Sequence, residues 1–350
     1  MDSPSRPDSR LHFALAVSGL DAGSPPPARQ ASLFDLLGSL QAGPVLAPAA
    51  PAAPVIPPVP VFPSVPIVFE APAPVPGLAR SGPWAPPLRV AVLGSGSGGN
   101  AVVVESGRHR ILIDAGFSSR ELTRRLALVG VEPASLSALV LTHEHVDHCR
   151  CAARFARRHR LPVFATAGTL REIDFDGETA RQATVLRSGE PCEIAGFQVE
   201  PFLLPHDARE PIGAVLEDGA GRRLGLVADC GTHSHLAWAR LRELDVLVME
   251  TNHDLDMLRN GPYPWPLKQR VAGRHGHLSN REAADGLPEL LCDRLRWVVL
   301  YHLSRTNNLP ALAAATLGEA LVRERCGARL EVTGQFEPTP WLEVDGGDPL

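Results

Sequence analysis

The sequence predicts an α/β (α+β) fold, two β-sheets face to face with helices outside, behind a disordered Pro/Ala-rich arm. Three observations predict it. Short strands joined by tight Gly turns open the folded part, strands alternating with helical segments follow, and the same scheme recurs further along. The arm is set by composition. Residues 1–88 hold 20 of the 34 prolines, and 44–76 form a Pro/Ala/Val tract that favours extended chain over a packed core. The expected division is therefore an arm over 1–88 and one folded domain over 89–350.

Arg89–Leu93 reads as a strand that runs into Gly94-Ser-Gly-Ser-Gly-Gly-Asn100. Ala101–Glu105 and Arg110–Ile113 are two more strands, turned at Ser106-Gly107. Ser118–Val129 reads as a helix, capped by Ser118 or Ser119 and closed by Gly130. Leu139–Leu141 is a short buried strand. Asp147–His159 is helical, with Arg150, Arg154, Arg157 and Arg158 on its outer face. Pro162–Ala165 reads as a strand and Thr169–Asp174 as a short helix. Strands dominate from Thr184 to Val227. After them come a helix (His233–Glu243), a strand (Val246–Glu250), a helix (Asn280–Leu291), a strand (Trp297–Tyr301) and a long helix (Pro310–Arg325). Leu330–Val332 and Trp341–Val344 close the chain as strands.

Composition bounds the function. The net charge is −5, and the arm carries four Arg against five Asp/Glu, so the domain keeps about −4 and lacks the basic footprint of most nucleic-acid binders. A local basic patch would suffice for one. Arg120, Arg124 and Arg125 offer such a patch, although a solvated helix face accounts for them better. The six cysteines show no disulfide framework and no C-x-x-C motif, which fits reduced thiols in a cytoplasmic protein. No apolar run is long enough to span a membrane.

The chemistry concentrates at Thr142-His143-Glu144-His145-Val146-Asp147-His148, directly after an apolar strand. Neutral imidazoles and carboxylates are the ligands that borderline metals such as zinc take. His206, Asp229 and His302 each follow a predicted strand, where a rigid scaffold can aim a ligand.

In this set and order the chain resembles the metallo-β-lactamase fold, with Asp114 in Leu112-Ile-Asp-Ala-Gly116 matching its first motif. The resemblance runs over about 89–344 and implies an αββα sandwich with a dinuclear site. By resemblance, His143, His145 and His206 hold one ion, Asp147, His148 and His302 the other, and Asp229 bridges them. Asp114 then orients a ligand. The segments Glu250-Thr-Asn-His-Asp254, Tyr263-Pro264, Leu267-Lys268, Gly276-His-Leu-Ser-Asn280 and His302-Leu-Ser-Arg-Thr-Asn-Asn308 are similar to the WalJ/YycJ-like exonuclease branch, related to the tRNA 3′-processing endonucleases. Val146 and the long arm depart from that pattern.

The implied activity is a two-metal phosphodiester hydrolase, a 5′ to 3′ DNA exonuclease with a water bridging two ions as the nucleophile. Zinc is the implied metal, with manganese a second fit. Asp147 would orient the nucleophile and His277 would protonate the leaving oxygen, the latter by resemblance. The expected substrate contacts are Ser95, Ser97 and Asn100 in the Gly-rich loop, with His253, Arg305, Asn307 and Asn308. In the arm, Gln30-Ala-Ser-Leu-Phe34 resembles the bacterial sliding-clamp-binding peptide, in which Gln30, Leu33 and Phe34 would make the contacts. Two other readings stay open: hydrolysis of a small thioester or cyclic phosphodiester, and a non-catalytic binding module on the same fold.

Overall fold

A computed structural model describes residues 86–345. The predicted arm, with Gln30, Leu33 and Phe34, lies outside the described residues except at its end. There Leu88, expected to close the arm, is fully buried and opens the first strand, paired with Val344.

The strands are β1 (Leu88–Gly94), β2 (Ala101–Ser106), β3 (His109–Ile113), β4 (Ala138–Val140), β5 (Val163–Thr166) and β6 (Thr184–Leu186). Then come β7 (Cys192–Ile194), β8 (Phe197–Leu203), β9 (Ile212–Glu217), β10 (Arg223–Val227), β11 (Val246–Glu250), β12 (Trp297–Tyr301), β13 (Arg329–Val332) and β14 (Leu342–Val344). They form two seven-stranded sheets, β14-β1-β2-β3-β4-β5-β6 and β13-β12-β11-β10-β9-β8-β7. Each begins as an antiparallel meander and continues as parallel strands. The repeat anticipated in the sequence is thus a repeat of architecture. Only β14 crosses back to the first sheet.

Alternation along the strands builds the layers. Val90, Val92, Val102, Val104, Ile111 and Ile113 meet Val199, Ile212, Leu224, Leu226, Val246 and Val248 between the sheets. The opposite faces pack under helices. Ala91, Leu93, Val103 and Leu112 lie against Leu122, Leu126 and Phe155, while Val227, Leu247 and Leu300 lie against Leu241, Leu287 and Leu317. Truncating one such Leu to Ala costs about 2–5 kcal/mol.

The helices are α1 (Ser119–Leu128), α2 (Val146–Cys149), α3 (Ala152–His159), α4 (Ala167–Glu172), α5 (Gly177–Gln182), α6 (His235–Trp238), α7 (Leu255–Asn260), α8 (Trp265–Val271), α9 (Asn280–Gly286) and α10 (Pro310–Arg323). Ser118 caps α1, its hydroxyl accepting from Glu121 N–H at 3.2 Å. The single helix expected over Asp147–His159 is broken into α2 and α3. The backbone of Ala115 enters the break: its N–H donates to His148 C=O at 2.7 Å, and its C=O accepts from Cys151 N–H at 3.0 Å. The expected His233–Glu243 helix shrinks to the four residues of α6. Helices α5, α7 and α8 lie outside the expected elements; Pro264 occupies the N-cap position of α8 and Pro266 sits in its first turn, where no backbone donor is needed.

Candidate metal centre

The cluster assembles where the strands end. Parallel pairing aligns β10, β11 and β12, with Val227 opposite Met249 and Glu250 opposite Tyr301. Asp229, Glu250 and His302 therefore emerge at one edge. From the other sheet, β3 delivers Asp114 and β4 leads into Thr142–His148.

Asp229, almost fully buried, sits at the middle. Its Oδ2 lies 3.7 Å from His143 Nε2 and 3.5 Å from His206 Nε2. Its Oδ1 lies 3.3 Å from His148 Nε2 and 3.0 Å from His302 Nδ1. The two oxygens of one carboxylate thus face two different groups of ligand atoms. His143, His145, His206 and Asp229 form one compact donor group, and Asp147, His148 and His302 another. His143 Nε2 and Asp229 Oδ1 are buried yet find no hydrogen-bond partner of good geometry. Such orphaned atoms are costly unless a cation completes them, so the donor set fits divalent ions.

The surrounding shell fixes which nitrogens are presented. His148 Nδ1 lies 2.7 Å from Asp114 Oδ2, which leaves Nε2 toward Asp229. Asp114 also accepts from Thr142 N–H and hydroxyl. His206 Nδ1 donates to Gly276 C=O at 2.8 Å. Asp114 and His302 both have left-handed backbones, φ 61° and 57°, a sparsely populated region that often marks a functional turn. Gly116 is required by close approach, because a Cβ there would lie 1.7 Å from Asp147 C=O.

Burial and neighbouring His148 push the His143 pKa well below the ordinary imidazole value. Burial brings His206 down to about 4. Burial also opposes protonation of His148 and His302, but the carboxylates around them, Asp229 foremost, hold both well above the ordinary value. A divalent ion competes with a proton for such nitrogens. Cys230 is buried and its thiol is pushed up by that burial, so it offers no thiolate.

In the sequence Glu250 stands within the Glu250–Asp254 motif with no role of its own. It is fully buried at the end of β11. Its Oε1 lies 2.7 Å from His277 Nδ1 and 3.0 Å from His302 Nδ1, while Oε2 accepts from the N–H groups of Cys230 and Leu278. Burial opposes protonation of His277, and the Glu250 carboxylate outweighs it, so the His277 pKa is raised. The available signal was its place at a strand end, like that of the other cluster residues.

Other expected site residues separate. Ser95 is 1% exposed, and its hydroxyl accepts from His302 N–H at 2.6 Å and meets Asn100 Oδ1. Asn100 is buried, with its amide at Asp147 and His148. Both brace the centre from within. Asn308 spends its amide on Thr251 C=O, Asn252 C=O and Asn280. His253 and Asn307 are fully buried. Ser97 and Arg305 are exposed, and the Arg305 guanidinium stands 4.9 Å over the Phe336 ring. Arg125 is buried against Phe117 and donates to Leu93 C=O, so it is structural, and Arg124 pairs with Glu121. Arg120 lines an open groove of about 500 Å³ with Arg154, Arg158 and His159, and none of the cluster residues lines it.

A family profile described as "Beta-lactamase superfamily domain" matches residues 109–302, more than half of the chain. The chain belongs to this superfamily. Its WalJ/YycJ-like branch is shown by two relatives. An exodeoxyribonuclease WalJ of Streptococcus pneumoniae is 30% identical over 73% of this chain and 98% of its own length. An exodeoxyribonuclease YycJ of Bacillus anthracis is 31% identical over 69% of this chain and 91% of its own. The metallo-β-lactamase fold is shared with YhfI from Bacillus subtilis, at a TM-score of 0.58, 16% identity, 74% coverage of this chain and 100% of that one. As a superfamily member the chain is a metal-dependent hydrolase that binds divalent ions. No helix among the described residues is long and apolar enough to cross a membrane.

Proposed function

We propose that this superfamily member is a two-metal DNA exonuclease working 5′ to 3′, with zinc as its metal and manganese as a substitute. The observation that carries the reading is the Asp229 carboxylate, whose two oxygens face two separate donor groups. His143, His145 and His206 would hold one ion with Asp229, and Asp147, His148 and His302 the other. When bound, a pair of such ions supplies Lewis-acid activation of water and neutralises charge on a phosphodiester. The names of the WalJ and YycJ relatives favour DNA as the substrate.

The chain's own groups then do the positioning and the proton transfer. Asp147, partly open to solvent, has Oδ2 3.3 Å from His302 Nε2 and can orient and deprotonate the attacking water. His277 is also partly open. With Nδ1 committed to Glu250, it keeps Nε2 to deliver a proton to the leaving 3′-oxygen. Asp114, Asn100 and Ser95 hold the ligands, while Ser97 and Arg305 remain the exposed candidates for phosphate contact. All six cysteines are free thiols, which supports a cytoplasmic setting. The Gln30–Phe34 peptide supports tethering to a sliding clamp.

The deciding experiment incubates the full chain with end-labelled single- and double-stranded DNA and RNA while the metal is varied. Release of mononucleotides from the 5′ end of DNA, dependent on zinc or manganese, is the expected result. Intact DNA beside rapid hydrolysis of a small thioester or cyclic phosphodiester would establish the second reading instead, which the net charge of −5 favours.

A further inference from the structure

Helix α8 has a composition and a position that the metal centre does not explain. None of its residues is buried. Short helices normally persist by packing an apolar face, so this one is held by its ends and side chains. The Val271 carbonyl accepts from His277 N–H at 2.9 Å. Arg270 Nε donates to Asp207, beside His206, at 2.6 Å. Lys268 Nζ donates to the Arg259 carbonyl of α7 at 2.7 Å. Gly276 permits the close approach, since a Cβ there would lie 2.2 Å from the Arg270 and Val271 carbonyls. The helix is thus fastened against the same loop that carries His277 and accepts from His206.

At its free end stands Trp265, 67% exposed. The flanking Pro262, Pro264 and Pro266 restrict the backbone around it. From Leu255 to His277 the chain carries Arg259, Lys268, Arg270 and Arg274 against the single acid Asp256, in a chain whose net charge is −5. Arg270 is paired with Asp207 and Arg259 lies 3.7 Å from Asp256. Lys268 and Arg274 have no acidic partner among the described residues. Six helical rises place Trp265 about 9 Å along the helix from Val271, whose carbonyl accepts from His277 N–H beside the metal centre.

A rigid exposed indole within a locally cationic segment is the combination that binds single-stranded nucleic acid: stacking on the base, ion pairing with the backbone. We infer that α7 and α8 form a platform for the single strand, with Trp265 stacking on a base and Lys268 and Arg274 contacting phosphates. The inference rests on the nuclease reading for its substrate class.

The test uses the metal-loaded full chain and a phosphorothioate-linked strand that resists hydrolysis, so that binding is read without cleavage. Affinity for a dye-labelled single-stranded oligothymidylate is measured by fluorescence anisotropy across a salt series. Trp265→Ala should weaken binding about tenfold, and Trp265→Tyr should restore most of it. Lys268→Gln and Arg274→Gln should each reduce the logarithmic salt slope by about 0.7. Metal content should match the parent in every variant, and Tm in the Trp265 and Arg274 variants, whose exposed side chains make none of the bonds that fasten the helix. Parental affinity in Trp265→Ala overturns the platform, and so does an equal loss in Trp265→Tyr. If the variants lose affinity as expected but the parent cleaves no DNA with any metal, the platform stands and the nuclease reading falls.

Discussion

The two sheets contribute to one metal centre in opposite ways. The first supplies His143, His145, Asp147 and His148 from the loop after β4 and the start of α2, spaced so closely that local backbone geometry sets their arrangement. The second supplies His206, Asp229, Glu250, His277 and His302 from segments spread over nearly a hundred residues, brought together by parallel pairing of β10, β11 and β12, antiparallel pairing of β8 with β9, and the Glu250 contact to His277. The first half concentrates donors, and the second aims and balances them. Asp229 joins the two donor groups, and Glu250 holds two imidazoles with one carboxylate oxygen. A cluster visible as a string of letters therefore depends on a frame that is not.

The comparison is broken most severely at its junction. Asp229→Ala should reduce DNA cleavage to background and lower bound metal, measured by elemental analysis, while circular dichroism stays native. Parental cleavage by that variant would refute a carboxylate-bridged centre. Next, His277→Ala should lower kcat about 10²–10⁴-fold with KM little changed; a loss confined to KM would remove it as the proton donor. Glu250→Gln keeps the shape but weakens the hold on His277 and His302, so kcat should fall about 10–100-fold. An unchanged kcat would mean that the second sheet needs no orienting carboxylate.

Smaller effects sharpen the contrast within the first sheet. Ser95→Ala removes the acceptor for His302 N–H, a buried bond, and should cost about 1 kcal/mol of stability in a denaturant titration. Its kcat should fall less than that of Glu250→Gln. Last, replacing Leu33 and Phe34 by Ala should leave cleavage of short DNA at the parental rate and abolish clamp pull-down. Retained pull-down would end the proposed role of that peptide.

The sequence by itself determined what is local. Strand alternation declared the two-sheet class, Ser118 announced the start of α1, and the His143–His148 string marked a metal loop, because ligand spacing and turn chemistry act over a few residues. The tertiary structure decided what depends on distant partners. It turned Ser95 and Asn100 inward, since the hydroxyl and the amide are taken by His302, Asp147 and His148. It broke the helix at Cys151 by admitting the Ala115 backbone. It also gave Glu250 its place, in contact with residues 27 and 52 positions further on, where no pattern of neighbours along the chain encodes the encounter.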